Sequence, residues 1–200
     1  MNKEDLLKSI AEAGYNVGFG AKKHYATYDI VEKTPGFIGF FSMAFGIYAL
    51  VFKNLSNEFL SASFIILGII GLYISLYDHK KLEYEELGTK LTRIYNKLGN
   101  LYRKAKHVDG DKINDIEAEL SKLQSEYYTS CISKQILFSD WYAHYKFFWQ
   151  FQIEWVNEQK QFKFFRDKIP LTLSIAFILF IMAISAWWFN FAETLCALAT

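Results

Sequence analysis

Three long runs of the chain carry no Asp, Glu, Lys, Arg or His: Thr34–Phe52, Phe59–Tyr77 and Ile169–Ala192. At about 1.5 Å per helical residue the first two reach roughly 28 Å and the third about 36 Å, enough to cross a hydrocarbon core of about 30 Å, the third with tilt. Only Lys53–Glu58 separates the first pair, which therefore predicts a tight antiparallel hairpin. Thr34-Pro35 and Ile169-Pro170 read as helix starts, with a hydroxyl cap before the first proline. A soluble chain of 200 residues has too little other material to bury three helices that are apolar all round.

The intervening segments have other periods. Residues 1–33 predict an amphipathic helix with Leu6, Leu7, Ile10 and Tyr15 on its apolar face. After the second run, Tyr84, Leu87, Leu91, Ile94, Leu98 and Leu101 step by three and four, a heptad-like seam of coiled-coil type. Val108–Asp111 reads as a turn with Asp111 as the next helix cap, and Ile113, Ile116, Leu120, Leu123 and Tyr127 return the pattern. Residues 79–137 thus predict a helical hairpin, a stalk that packs on itself or lends part of its seam to other subunits. Phe138–Phe165 holds 12 aromatic residues, with Lys160, Lys163, Arg166 and Lys168 at its end. It predicts a membrane-proximal helix over 138–168 with Trp141, Trp149 and Trp155 as interface anchors; the alternative is that its rings pack on the stalk or the N-terminal helix.

Charge decides the sidedness. The net charge of +1 says nothing about partners, but 21 of the 22 Lys and Arg lie outside the 53–58 loop and on one side of three crossings. That places the N-terminus in the cytosol and the C-terminus across the membrane. The cytosolic part keeps 19 of 21 acids, so it is only slightly basic and is not a direct, sequence-specific nucleic-acid binder. Two distant cysteines exclude a disulfide scaffold. The predicted fold is an all-α integral membrane protein: a two-span hairpin over 34–78, a third span over 169–192, and a cytosolic helical hairpin.

The search for chemistry is negative. His24, His79, His107 and His144 are scattered, and none pairs with a cysteine at metal-site spacing. Asp109-Gly110-Asp111 opens like a calcium loop and fails at Ile113 and Asn114. Asp140 and His144 share a helix face, as do Glu154 and Glu158, but neither pair has a nucleophile or an oxyanion element beside it. No enzyme, metal or cofactor is therefore expected. The segment Gly14-Tyr-Asn-Val-Gly18-Phe-Gly20-Ala-Lys22-Lys23-His24 is no phosphate loop by motif; it reads as a close helix junction, with Lys22, Lys23 and His24 as a possible phosphate or lipid contact. Within the spans, Ser42, Gly46, Ala49, Gly68 and Gly71 are small enough for close helix packing or for lining a pore.

The order of parts resembles a known family. Gly14–Asp29 leads into a two-span hairpin, a long helical insert follows, and then comes Ile132-Ser-Lys-Gln-Ile-Leu-Phe-Ser-Asp-Trp-Tyr142. This resembles the SLATT domain, a bacterial two-span membrane domain of nucleotide-based conflict systems, over roughly residues 5–168. The resemblance implies an inner-membrane effector of antiphage defence; the small-residue faces and the heptad seam add the expectation of a homo-oligomer, and the Lys and Arg placement that of a periplasmic C-terminus. The resemblance also implies activation by a nucleotide second messenger or a signal-generating partner, and membrane disruption or pore formation as the output. The third span is a departure from the family pattern. The alternative function is a non-conducting membrane adaptor that recruits a soluble partner through its cytosolic helices.

Overall fold

The computed structural model describes residues 2–52, 58–107 and 113–198, with side chains as far as residue 188, and every element among them is helical. Residues 53–57 of the expected hairpin loop, and the Val108–Asp111 turn with its cap, lie outside the described residues. The chain forms two units, 1–161 and 162–200.

The first unit begins with α1, Lys3–Val51, a single helix of 49 residues. Asn2 caps it, accepting the Asp5 amide at 2.8 Å, with Glu4 and Asp5 favourably placed in the first turn. At about 1.5 Å per residue α1 is roughly 73 Å long, and its two halves differ. As far as Val31 it is the central helix of a folded body, burying Leu6, Ile10, Ala13, Val17, Ala21, His24 and Thr27. Beyond Thr34 its apolar side chains are bare, with Leu50 85 % exposed.

The helix start expected at Thr34-Pro35 is not there. Thr34 is an interior residue and cannot cap, because α1 passes through Pro35 without interruption. Pro35 has no N–H to give the carbonyl four residues back, a loss that normally breaks an unsupported helix. Here the preceding turn is held both from within and from outside. Asp29 takes Lys33 within the helix at 2.7 Å, and Glu32 takes Lys81 of a later helix at 2.8 Å.

Helix α2, Glu58–Ser75, returns alongside α1. Ile38, Ser42 and Ala49 of α1 and Leu60, Phe64, Leu67 and Gly71 of α2 are half-buried on the hairpin's inner face, with the Phe45 and Phe64 rings 5.9 Å apart. A 3-10 turn, Asp78–Lys80, leads into α3, Lys81–His107, followed by α4, Ile113–Tyr128. The seam is buried except for half-buried Leu87, but the buried stripe of α3 is wider, adding Gly88, Tyr95, Gly99, Tyr102 and Ala105. The expectation of a stalk packed on itself is corrected accordingly. One stripe of α4, at Ile116, Leu120 and Leu123, cannot cover so broad a face, and α3 lies chiefly along α1.

The single aromatic helix expected over 138–168 is also corrected. It is three pieces: α5 at Ser139–Gln150, α6 at Glu154–Lys160, and α7 at Phe164–Asp167 in the second unit. Gln161 ends α6 in the left-handed region, at φ 49°, returning its N–H to the Asn157 carbonyl.

In the second unit, Lys163 at the start of α7 donates its N–H to Asp167 at 2.8 Å. Then α8, Leu171–Leu198, starts directly after Pro170, whose carbonyl accepts the Ser174 amide, so this proline lies within one residue of the expected helix start. The large apolar side chains from Leu171 to Trp188 are exposed. Three helices, α1, α2 continued by α3, and α8, are thus long and apolar enough to cross a membrane, and almost none of those apolar stretches is buried within the protein.

Candidate functional site

The two segments that carry the family resemblance, 14–29 and 132–142, meet at one place in the fold. Residues 131–138 form a strap that runs from the end of α4 to the start of α5 and lies across the α1–α2 hairpin where it joins the folded body. Such an irregular segment needs partners for its backbone groups, and here side chains of three helices supply them. Tyr84 of α3 donates its hydroxyl to the Lys134 carbonyl at 2.5 Å, and Tyr77 donates to the Gln135 carbonyl at 3.5 Å. The Leu137 amide donates to the Tyr73 hydroxyl of α2 at 3.3 Å. Thr27 of α1 donates to the Gln135 side-chain oxygen at 2.5 Å. Under these bonds lies an apolar cluster of Val31, Ile74, Tyr77, Tyr84 and Ile136. The strap ends at Phe138, a bulky residue held at φ 66°, in the left-handed region.

His24 belongs to this network. Its Nδ1 donates to the Gly20 carbonyl at 2.8 Å, which leaves Nε2 to accept the Ile132 amide at 3.3 Å. Burial depresses its pKa, and Lys23 adds to this, while the bond to Gly20 opposes it. The imidazole is therefore a neutral fastening between α1 and the strap. Its two neighbours in sequence are engaged separately. Lys23 pairs with Asp140 of α5 at 2.8 Å. Lys22 stands 3.8 Å from the Phe151 ring centroid, with its pKa lowered by burial and by Lys146.

An ion pair locks the same level. Asp29 of α1 bonds Lys146 of α5 as well as Lys33, and both members of the Asp29–Lys146 pair are largely shielded from solvent. Burial alone would raise the Asp29 pKa, but the bonds from Lys146 and Lys33 outweigh it and hold the carboxyl below its ordinary value. His144 faces Phe19 at 4.9 Å rather than forming a working pair with Asp140, and burial lowers its pKa.

The glycine segment packs rings. A Cβ on Gly14 would stand 2.2 Å from Trp155, one on Gly18 2.8 Å from Tyr95, and one on Gly88 3.1 Å from Tyr25. The Trp155 indole lies between Gly14 of α1 and Gly99 of α3, within the protein body. Trp149 is 62 % exposed, and Trp141 is half-buried with its ring 4.9 Å from that of Phe138. In the hairpin, an added Cβ on Gly46, Gly68 or Gly71 would meet nothing within 4 Å among the described residues, so the contact of α1 with α2 does not require a glycine at these positions. Ser42 and Ala49 lie on the inner face.

Farther along α3 is an open groove of about 780 Å³, lined by Tyr95, Asn96, Asn100, Arg103, Gln152 and Trp155 among others. At its edge Glu158 accepts both the Tyr102 hydroxyl at 3.0 Å and Lys106 at 2.5 Å, and its pKa is lowered by these bonds, that from Lys106 first.

The strap and the groove were not legible as sites in the sequence. The available signal was the co-occurrence of 24–29 and 132–142 in one resemblance, together with tyrosines at 73, 77 and 84 facing a segment that contains no regular helix pattern.

A family model described as SMODS and SLOG-associating 2TM effector domain 6 matches residues 1–177. The match takes in every helix of the first unit and ends a few residues into α8. No curated protein and no solved structure matches the chain.

Proposed function

The chain belongs to the SMODS and SLOG-associating 2TM effector domain family, and from that premise we propose that it is a membrane-disrupting or pore-forming effector of a bacterial antiphage system. A nucleotide signal or a partner protein activates it through rearrangement of a homo-oligomer. The observation that carries the reading is α1 itself. One helix is both the centre of the cytosolic body and the first apolar span, so a displacement of the body cannot leave the span unmoved. The strap and the Asp29–Lys146 pair hold that helix in one register against α2, α3 and α5. Outward-facing Gly46 and Gly68 leave room for helices of other copies to approach closely. The placement of Lys and Arg supports a cytosolic N-terminus in the bacterial inner membrane and a periplasmic C-terminus.

The test uses a chain with a loosened strap, Tyr84→Phe with Thr27→Val, expressed in cells carrying a membrane-potential dye. Depolarisation and growth arrest are expected; full polarisation with normal growth would sink the effector reading. The adaptor reading draws support from the distal groove, whose aromatic floor and amide rim suit a soluble partner. Gly46→Leu separates the two. A pore loses activity while the chain still reaches the membrane, whereas an adaptor keeps both its partner and its function.

A further inference from the structure

Two concavities flank the strap. The first, about 320 Å³, is lined by Ile30, Thr34, Ile70, Tyr73, Ile74 and residues 136–138, and its exposed lining is almost wholly apolar. Phe37, Ile66 and Ile69, within a turn of its lining residues Thr34 and Ile70 along α1 and α2, are exposed. The concavity lies within a turn of Lys33, the last charged residue before the first span. The second is a small cleft lined by Tyr77, His79, Lys80, Tyr84, Ile132 and Lys134. Lys134 stands 5.2 Å from the Tyr77 ring centroid, and neither it nor Lys80 has a carboxylate partner among the described residues.

The two are lined by neighbouring residues of the same two segments, 70–80 and 132–138. Ile74, near the end of α2, lines the first, and Tyr77, in the turn that follows, lines the second, its N–H donating to the Ile74 carbonyl at 3.0 Å. On the strap, Ile136 lines the first and Lys134 the second, at most about 7 Å apart along the chain. An apolar slot and an adjoining pair of free ammonium groups, at the level where charge gives way to an uncharged span, match an amphiphile with an anionic head. We infer that this is a binding site for an anionic phospholipid of the cytosolic leaflet. One acyl chain enters the slot between the hairpin and residues 136–138, and the phosphate meets Lys80 and Lys134. The lipid then contacts the strap that fastens α1 to α3, so leaflet composition acts on the same fastening as the activating signal.

The inference rests on the hairpin spanning a membrane, and the test separates the two claims. The full chain is first floated with liposomes; failure to float overturns both. Floated protein is extracted in detergent, exposed to phosphatidylglycerol and phosphatidylcholine, and weighed by native mass spectrometry. Two exposed lysines near a phosphate predict a preference for phosphatidylglycerol of roughly 20- to 30-fold. Lys80→Gln with Lys134→Gln, both on the surface, retains the two lipids equally. Thr34→Phe, which fills the slot, retains neither at its helical circular-dichroism signal. Equal retention by all three forms overturns the site. So does disulfide cross-linking of two chains through Leu137→Cys, in a background with Cys131→Ser and Cys196→Ser, without any retained lipid. That result would assign the slot to a second copy.

Discussion

Replacing Gly14 by alanine tests the ring-on-glycine junction at the centre of the body. Helix propensity alone makes this substitution favourable, by about 1 kcal/mol within a helix. The packing opposes it. The new Cβ would lie 2.2, 2.9 and 3.0 Å from three atoms of the Trp155 ring, where ordinary contact begins near 3.4 Å. The indole must therefore withdraw by more than 1 Å, yet Gly99 backs it at 3.4 Å, and the Tyr95 and Tyr102 rings stand 5.2 and 5.4 Å from it. Overpacking of this kind costs about 1–3 kcal/mol, and complete expulsion of this half-buried Trp at most about 3–5 kcal/mol. Set against the propensity gain, overpacking leaves a net loss of up to about 2 kcal/mol and expulsion one of about 2–4 kcal/mol, or a fall in Tm of up to roughly 16 °C for a domain of this size. The assay is thermal unfolding of the full chain in detergent, followed by circular dichroism and tryptophan emission. Combining Gly14→Ala with Trp155→Phe should cost less than the sum of the two, because the clash is shared. A higher Tm for Gly14→Ala, as propensity would dictate, refutes the packing described.

Other expectations follow from the same region. Asp29→Asn leaves the shielded Lys146 ammonium without its carboxylate, and a loss of about 2–3 kcal/mol is expected in denaturant unfolding; adding Lys146→Met should restore much of it. His24 and His144 both have folded-state pKa values below the ordinary 6.5, so the unfolded chain binds more protons and stability falls as the pH drops below about 6.5. Unfolding midpoints taken between pH 7.5 and 5 should show that slope, and His24→Gln with His144→Gln should flatten it; a slope of opposite sign would exclude the neutral assignment. Tyr84→Phe removes a donor from the Lys134 carbonyl and should cost about 1 kcal/mol while increasing protease cleavage in 131–138.

Much of the membrane part was legible because it depends on runs and sums. Charge-free stretches, loop length and the side on which lysines fall are one-dimensional properties. The body was less legible, because its partners are chosen in three dimensions. Heptad stepping in α3 marked Leu91, Ile94, Leu98 and Leu101 correctly as an apolar seam, but it is equally compatible with α4 or α1 as the covering helix. Gly88 and Gly99 hold the answer, since a helix with glycines in its buried stripe needs bulky rings opposite, and Tyr25 and Trp155 supply them. Pro35 misled for a related reason. A proline after a threonine states a local preference, and the helix that runs through it is held by packing and by Glu32–Lys81, a pair made with a residue far along the chain. The strap had no periodic signal at all, because its order comes from hydroxyls and an imidazole on other helices.

The continuity of α1 also governs the order in which the protein can be made. Residues 3–31 leave the ribosome well before the faces that bury them, which lie on α3, α5 and α6 and extend to Trp155, more than a hundred residues later. At about 5–20 residues per second the apolar half-helix waits on the order of ten seconds for its partners. During that interval the hairpin is synthesised and available to the insertion machinery, whereas the body is not yet complete. The hairpin is thus complete along the chain well before the body that α1 centres.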